Sequence, residues 1–218
     1  MLCIQQFDLS YPGYPPLATI DWSIEAGTQV ALLGRSGVGK STLLKAVIHG
    51  HASIQCRATH IAYVSQQPML LPWRSVIDNV MLGEILRTST ISPAVRAQAR
   101  TVLESVALGD LATRAARGLS GGERARVALA RALFEEADLV LLDEPFAALD
   151  RSTRMAMADL AKTILKGRTV VLVTHDPRDA QDWLDEAWVL SERALHGPFD
   201  LHQFSDDRAL IHALEGAL

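Results

Sequence analysis

An α/β fold with a mostly parallel sheet is predicted by apolar runs that alternate with helical patterns. The runs 29–33, 139–142 and 169–173 are almost continuously apolar, as expected for strands buried on both faces. Helical patterns follow at 42–48 and 152–165. Because parallel strands end at a common edge where α/β proteins bind ligands, the segments that follow these runs are candidate site residues.

The other elements follow from local pattern. Alternation over 3–9 predicts a strand, and further strands are expected over 17–24, 61–65 and 187–190. The segment 11–16 is rich in proline and glycine and predicts a loop. Helical patterns begin at Ser75, and Ser92 followed by Pro93 predicts a helix that runs to about Val106. Further helices are expected after Ser120, briefly after Pro177, and from Ser205.

The segment 34–41 reads GRSGVGKS and carries the most specific chemistry in the chain. It fits the phosphate-loop pattern and has the strand before it and the helix after it that this pattern requires. Glycines allow successive amide N–H groups to surround phosphate oxygens, and the start of the helix adds its positive end. Lys40 is expected to contact the β and γ phosphates, and the Ser41 hydroxyl is expected to bind Mg²⁺.

Asp143 and Glu144 follow the apolar run 139–142 directly. Adjacent strand residues point in opposite directions, so different roles are expected for the two carboxylates. Asp143 is the candidate magnesium ligand, and Glu144 is the candidate general base for an attacking water.

The segment 119–123 reads LSGGE and has two interpretations. Ser120 and Glu123 have the spacing of a capping box, which predicts a well-capped helix. The glycine pair Gly121 and Gly122 is unfavourable within a helix, however, and suits a second phosphate contact through exposed amide groups.

Composition excludes several classes of protein. The 218 residues are 49% hydrophobic and carry a net charge of −4, which argues against nucleic-acid binding through a basic surface. Cys3 and Cys56 have no metal-ligand spacing around them, and His49 and His51 are expected at an exposed helix end. No apolar run has the length of a membrane span, and no signal-peptide pattern is evident, so a soluble protein is expected.

Taken together, these motifs resemble the ATP-binding subunit of an ABC transporter over nearly the whole chain. The family's parts occur in its order: GRSGVGKST as Walker A, Gln66 as the Q-loop, LSGGE as the signature, LVLLDE as Walker B, AALD as the D-loop and Thr174-His175-Asp176 as the histidine switch. LSGGE is the discriminating motif, since many P-loop enzymes have Walker A and few have this sequence. LLPWRSVIDNV is similar to the nitrate, sulfonate, taurine and thiamine-precursor group of importers.

The resemblance implies a P-loop NTPase core over 1–67 and 119–218, a small antiparallel β-region and an inserted α-helical subdomain over 68–118. ATP and Mg²⁺ are the implied cofactors, with Glu144, His175 and Gln66 as catalytic residues and Ser41, Gln66 and Asp143 as metal ligands. The implied nucleotide contacts are Tyr11, Gly34, Arg35, Ser36, Gly37, Val38, Gly39, Lys40, Ser41, Thr42, Ser120, Gly121, Gly122, Glu123 and Asp150. Stacking of Tyr11 on adenine and simple cover of the sheet edge by Tyr11 are both open.

The resemblance also implies partners: a homodimer with ATP between the subunits, integral membrane permease subunits and a separate substrate-binding protein, but no nucleic acid. It places the chain on the cytoplasmic side of the inner membrane, held there by the permease. Leu70, Leu71 and Trp73 are expected either to contact the permease or to pack within the helical subdomain. The competing functions are a non-transport ABC ATPase and a small P-loop kinase.

Three departures from the family pattern accompany these expectations. Glu123 stands where glutamine or methionine is usual, and Ser65 stands where an aromatic residue is common. Gln66 lies only 26 residues after Lys40, which is expected to shorten the antiparallel β-region.

Overall fold

A computed structural model describes residues 1–10, 16–180 and 183–203. Tyr11 and the helix expected from Ser205 lie outside the described residues. The chain divides into two compact units. The first comprises Met1–Ile61, Asp138–Glu144 and Gly167–Leu218, and the second comprises Ala62–Ala137 and Pro145–Lys166.

The described strands and helices follow the predicted order. The strands are β1 (Leu2–Leu9), β2 (Ala18–Ile24), β3 (Gln29–Leu33), β4 (Ile54–Cys56), β5 (Ile61–Val64), β6 (Leu139–Asp143), β7 (Thr169–Val173), β8 (Glu186–Leu190) and β9 (Leu195–Asp200). The α-helices are α1 (Lys40–His49), α2 (Val76–Val80), α3 (Leu82–Arg87), α4 (Pro93–Ser105), α5 (Gly121–Phe134) and α6 (Arg151–Ile164). Pro177–Asp179 forms a single 3₁₀ turn at the position of the short helix expected after Pro177.

The larger sheet of the first unit is mostly parallel, as predicted. The sheet has the order β5-β6-β7-β3-β8-β9. The pairings of β6 with β7, of β7 with β3 and of β3 with β8 are parallel, and the pairing of β8 with β9 is antiparallel. Every residue of β3, β6 and β7 is buried, which explains why these segments are apolar without alternation. The strand β5 begins at Ile61 in this unit, where the His60 carbonyl accepts the N–H groups of Asp138 and Leu139.

The register of the parallel strands aligns their carboxyl ends. Asp143 of β6 lies opposite Val173 of β7, and Val173 lies opposite Leu32 of β3. The segments that begin at Gly34, Glu144 and Thr174 therefore leave the sheet along one edge, where α/β proteins bind ligands.

A second, smaller sheet is antiparallel and has the order β2-β1-β4. Strand β2 alternates strictly between buried and exposed positions, so the period of two in its sequence reports one buried face. The sequence did not indicate β4, which has only three residues, or β9, which contains Gly197 and Pro198. Neither segment has enough residues of regular pattern to be recognised as a strand.

The second unit is helical apart from the end of β5. Helices α2, α4 and α5 share an apolar core with the segment between α4 and α5. Helix α4 begins where Ser92 and Pro93 predict, and the Ser92 hydroxyl accepts the Val95 N–H at 3.3 Å. Among the described residues, no helix is both long enough and apolar enough to span a membrane.

Helix α5 begins with the capping box that its sequence predicts. The Ser120 N–H donates to Glu123 Oε2 at 2.7 Å, and the Glu123 N–H donates to the Ser120 hydroxyl at 3.3 Å. The hydrogen bond from the Ser120 backbone, assisted by the Ser120 hydroxyl, holds the pKa of the Glu123 carboxyl below its usual value.

We predict that Leu103→Ala destabilises the protein, because Leu103 is fully buried in the helical core. Removal of its side chain leaves a cavity and should lower the free energy of unfolding by about 2–5 kcal/mol. Chemical denaturation measures this change. Leu86→Ala is the matched control, since Leu86 is 78% exposed and its loss should cost less than about 0.5 kcal/mol. Equal effects of the two substitutions would contradict the described core.

We predict that Glu123→Gln lowers stability at neutral pH but not in acid. The carboxyl pKa is lower in the folded state than its usual 4.5, so the carboxylate stabilises the fold above that value. This contribution is lost as the pH falls through the folded pKa. Denaturation at pH 7 should show a loss of about 0.5–1 kcal/mol that disappears toward pH 2. Glu104→Gln, at an exposed position of α4, is the control; a gap between wild type and E123Q that did not depend on pH would refute the capping role.

Candidate functional site

The phosphate loop connects β3 to α1 through three glycines that have left-handed backbone conformations. Gly34, Gly37 and Gly39 have φ values of 151°, 83° and 107°. At Gly39 a Cβ atom would lie 2.7 Å from Leu9 Cδ2, and at Gly34 it would collide with the Leu190 carbonyl oxygen. Glycine at these two positions is therefore required by backbone conformation and by space.

Lys40 is the first residue of α1 and is buried. Its ammonium group donates to the carbonyl oxygens of Gly34 at 2.7 Å and Arg35 at 2.9 Å, and Glu144 Oε1 lies 4.0 Å away. Burial lowers the pKa of Lys40, while the Glu144 and Asp143 carboxylates act in the opposite direction. The ammonium group thus lies inside the phosphate loop, hydrogen-bonded to the loop's own backbone.

Ser41 and Asp143 contact each other directly. The Ser41 hydroxyl donates to Asp143 Oδ1 at 2.9 Å, which joins the first turn of α1 to the end of β6. A hydroxyl beside a carboxylate is a donor set that suits Mg²⁺, which takes few protein ligands and keeps phosphate and water oxygens. Among the residues that the structure describes, no group of three or more His, Cys, Asp or Glu is arranged to hold a metal ion.

Glu144 lies one residue beyond β6, with φ of 46°. Its N–H donates to the Val173 carbonyl, and its carboxylate lies between Lys40 and His175, with Oε2 3.3 Å from His175 Nδ1. The two carboxylates make different contacts, since Asp143 accepts from Ser41 while Glu144 faces Lys40 and His175. Glu144 lies beyond the end of β6, so the alternation of strand residues does not apply to it. Left-handed backbone is unfavourable for glutamate, and such strain is concentrated at functional sites.

A hydrogen-bond network that the sequence did not reveal supports the loop that carries His175. The Thr174 hydroxyl donates to Asp179 Oδ2 at 2.6 Å and accepts the Asp176 N–H at 3.1 Å. Asp176 accepts two hydrogen bonds from the Arg178 guanidinium, at 2.8 and 2.7 Å. Asp176 before Pro177 is a recognisable helix start, but no sequence pattern links Thr174 with Asp179.

A cavity of about 440 Å³ lies beside the phosphate loop in the first unit. Three segments line it, namely the start of β2, the phosphate loop and the turn between β8 and β9. Its lining residues are Leu17, Arg35, Ser36, Gly37, Val38, Leu190, Ser191, Glu192 and Arg193. No pattern along the chain indicates that the turn 191–193 belongs to this cavity, because about 150 residues separate it from the phosphate loop.

The glycine pair predicted as a phosphate contact lies at the tip of α5 in the second unit. Ser120 and Gly121 are exposed, while Gly122 packs so close to Thr153 that a Cβ atom would lie 2.9 Å from Thr153 Cγ2. The Glu123 carboxylate is used within its own capping box. Close packing thus explains Gly122, and the exposed helix end remains available to a ligand.

Asp150 and Gln66 also lie in the second unit. Asp150 is the N-cap of α6, where its carboxylate accepts hydrogen bonds from the backbone and hydroxyl groups of Ser152 and Thr153. These bonds, led by the one from the Ser152 hydroxyl, hold the pKa of Asp150 far below its usual range. Gln66 is exposed in the segment after β5.

Within the first unit, then, the predicted residues Lys40, Ser41, Asp143, Glu144 and His175 converge at one edge of the sheet. They combine a glycine loop for phosphate, a cation, a hydroxyl–carboxylate pair and a carboxylate beside a histidine. This set of groups is suited to phosphoryl transfer to water.

Comparison with known proteins identifies the family. The pattern of the family described as "ABC transporter" matches residues 17–147, more than half of the chain. An uncharacterized ABC transporter ATP-binding protein of Haemophilus influenzae is 38% identical over 203 residues, which cover 90% of this chain and 84% of that protein. The aliphatic sulfonates import ATP-binding protein SsuB 1 of Paracoccus denitrificans is 40% identical over 204 residues, which cover 89% and 78%.

A solved structure agrees with these relatives. The dimer of an ATP-binding cassette in a post-hydrolysis state, bound to ADP and phosphate, has a TM-score of 0.80 at 26% identity. The alignment covers 94% of this chain and all of that one. The chain therefore belongs to the ABC transporter family, as an ATP-binding subunit of the importer type.

Proposed function

We infer that this chain hydrolyses ATP and thereby powers the import of a solute through membrane partners. One observation carries the chemistry: Glu144 lies between Lys40 of the phosphate loop and His175, beside the Ser41–Asp143 pair. ATP is the proposed ligand, because the family pattern spans the phosphate loop and an ATP-binding cassette of the same fold binds ADP and phosphate.

The first proposed step is capture of the triphosphate. Lys40 already donates to two neutral carbonyl oxygens of its own loop. Exchange of these partners for anionic phosphate oxygens gives stronger, charge-assisted hydrogen bonds. The amide groups of Gly37, Gly39 and Lys40 and the start of α1 complete the anion site.

Ser41 and Asp143 would hold Mg²⁺, with Gln66 proposed as a further ligand. The bound ion supplies charge neutralisation for the β and γ phosphates. Apart from the ion, Asp143 fixes the Ser41 hydroxyl in its present orientation.

Glu144 is proposed to accept the proton of the attacking water. Its backbone is left-handed, and its carboxylate faces Lys40 on one side and His175 on the other. His175, which is 53% exposed, is proposed to contact the γ-phosphate, and the bonds between Thr174, Asp176 and Asp179 hold its loop in position.

We propose that two copies of the chain enclose ATP between them. The exposed helix end formed by Ser120, Gly121 and Gly122 would contact the nucleotide held by the phosphate loop of the other copy. Dimerisation in the ADP-bound cassette supports this arrangement. Tyr11 is proposed to stack on adenine, Arg35, Ser36, Val38 and Thr42 to line the nucleotide, and Asp150 to link the two sites.

The proposed partners are permease subunits, which would hold the chain at the cytoplasmic side of the inner membrane, and a separate substrate-binding protein. The relative SsuB 1 is named for the import of aliphatic sulfonates, and a small organic anion of this kind is the proposed cargo. In the second unit, Leu70 packs against the helical core, while Trp73 is 71% exposed and suits a permease contact.

Simple measurements distinguish ATP-driven import from two other functions. Co-purification with nucleic acid instead of an integral membrane protein would favour a non-transport ABC ATPase. Transfer of phosphate to a metabolite would favour a kinase, whereas release of inorganic phosphate without a phosphorylated acceptor supports ATP hydrolysis.

We predict that Glu144→Gln retains ATP binding but lowers kcat at least about 100-fold, because the amide cannot accept the proton of the water. The variant should accumulate as a closed dimer with Mg·ATP. Phosphate release measures the first effect, and size-exclusion chromatography with light scattering measures the second. Wild-type turnover in this variant would remove Glu144 from the role of base.

We predict that Lys40→Ala weakens ATP binding by roughly 10- to 100-fold, the usual loss for a charge-assisted hydrogen bond in a buried site. Calorimetry gives the affinity. Lys45→Ala is the matched control, since Lys45 is an exposed lysine on the same helix and should leave the affinity unchanged. Equal affinities of the K40A variant and the wild type would contradict the proposed capture step.

A further inference from the structure

A fully buried asparagine connects α2 to the segment before it. Both polar atoms of the Asn79 side chain engage Leu71: Oδ1 accepts the Leu71 N–H at 2.8 Å, and Nδ2 donates to the Leu71 carbonyl at 3.1 Å. Nδ2 also donates to the Ser75 carbonyl at 3.0 Å. Asn79 thus pairs with the backbone of Leu71 as a neighbouring strand residue would, inside an apolar core.

Arg131 of α5 adds a second layer to this arrangement. Its Nε donates to the Asn79 carbonyl at 2.9 Å, and its Nη1 donates to the Met69 carbonyl at 3.1 Å. Burial lowers the pKa of Arg131, but a guanidinium group stays protonated at neutral pH. A permanent charge is therefore held here by backbone carbonyl groups. The planar group contacts two backbone sites in different directions, which a lysine could not reproduce.

The segment fixed by these bonds presents an apolar surface. Met69 is 78% exposed and Trp73 is 71% exposed, although the backbone between them is tied down at Met69 and Leu71. Large exposed apolar side chains on a rigid backbone are typical of a preformed contact surface.

We propose that Arg131 and Asn79 form a buried polar clasp that fixes the segment 69–74 to helix α5. Through this clasp, a displacement of α5 moves the Met69 and Trp73 surface with it. Arg131 lies ten residues after Gly121, which is about 15 Å along the helix. A rigid helix transmits a displacement of its glycine tip over that length. Arg131 is a positioning residue: it contacts the backbone carbonyl of Met69 and acts on the exposed side chains of this segment only through that backbone.

This inference rests on the proposed function, since it assumes that the tip of α5 meets nucleotide and that the Trp73 surface meets a membrane subunit. The part of the inference that concerns the clasp itself can be tested without nucleotide and without a membrane subunit. Hydrogen exchange of the amides in 69–74, measured by mass spectrometry on the full chain, reports the clasp directly.

The variants are Arg131→Lys, Arg131→Met and the control Arg87→Lys. Arg87 is also an arginine of the second unit and contacts Glu135 at the end of α5 at 2.9 Å, but it is exposed, and its ion-pair partners are Glu84 and Glu135. Without nucleotide, exchange in 69–74 should become roughly tenfold faster in R131K and faster still in R131M, and should change less than about twofold in R87K.

Exchange in 93–105, the span of α4, shows whether each variant is folded. Faster exchange in both 69–74 and 93–105 of R131K, by equal factors, would mean general destabilisation and would overturn the positioning role. Unchanged exchange in 69–74 of R131K would overturn the clasp itself. R131K is the milder change and decides the matter if R131M does not fold.

The coupling is tested with Mg·ATP in a Glu144→Gln background. Addition of nucleotide should slow exchange at the tip of α5 and alter exchange in 69–74, and R131K should retain the first effect while it loses the second. If R131K keeps both effects, the coupling is overturned. If calorimetry finds no ATP binding in the wild type, the proposed function fails, while the nucleotide-free measurements still decide whether Arg131 fixes the segment.

Discussion

A buried ammonium group needs hydrogen-bond acceptors, and the site depends on which groups supply them to Lys40. The loop that carries Lys40 also supplies two carbonyl oxygens to it, and Glu144 faces it from the end of β6. These contacts hold the phosphate loop closed on its own cation while keeping that cation at the centre of the loop. A polyphosphate can enter such a site by replacing weak neutral partners with strong anionic ones, without rebuilding the loop.

The parallel sheet makes this arrangement possible. Three strands of five buried residues each end in register, so groups more than a hundred residues apart in the chain meet at one edge. Ser41 reaches Asp143, and Glu144 reaches both Lys40 and His175. The apolar strands provide the stability, which allows the edge to carry strained backbone at Glu144 and a buried charge at Lys40.

In the second unit, buried polar groups fix a segment that carries exposed apolar side chains. Its helices share an apolar core, yet the segment 69–74 must present large apolar side chains outward without collapsing onto that core. Buried polar groups provide the directional bonds that an apolar core lacks, because Asn79 and Arg131 fix backbone atoms at defined distances. The same unit carries the glycine tip of α5, whose capping box keeps its helix start well defined.

The amino-acid sequence determined what short-range pattern can encode. Continuous apolar runs predicted the buried strands, and GRSGVGKS predicted the phosphate loop. Ser92 with Pro93 predicted the start of α4, and Ser120 with Glu123 predicted the capping box. The grouping of Lys40, Ser41, Asp143, Glu144 and His175 was also predictable, since strand order in such folds brings strand ends together. Only the tertiary structure decided the left-handed backbone at Glu144, the Thr174–Asp179 bond, the turn 191–193 beside the phosphate loop and the Arg131–Asn79 clasp. Each of these features depends on backbone conformation or on a contact between segments that are separated in the sequence. Such features produce no repeating pattern of residues from which they could be predicted.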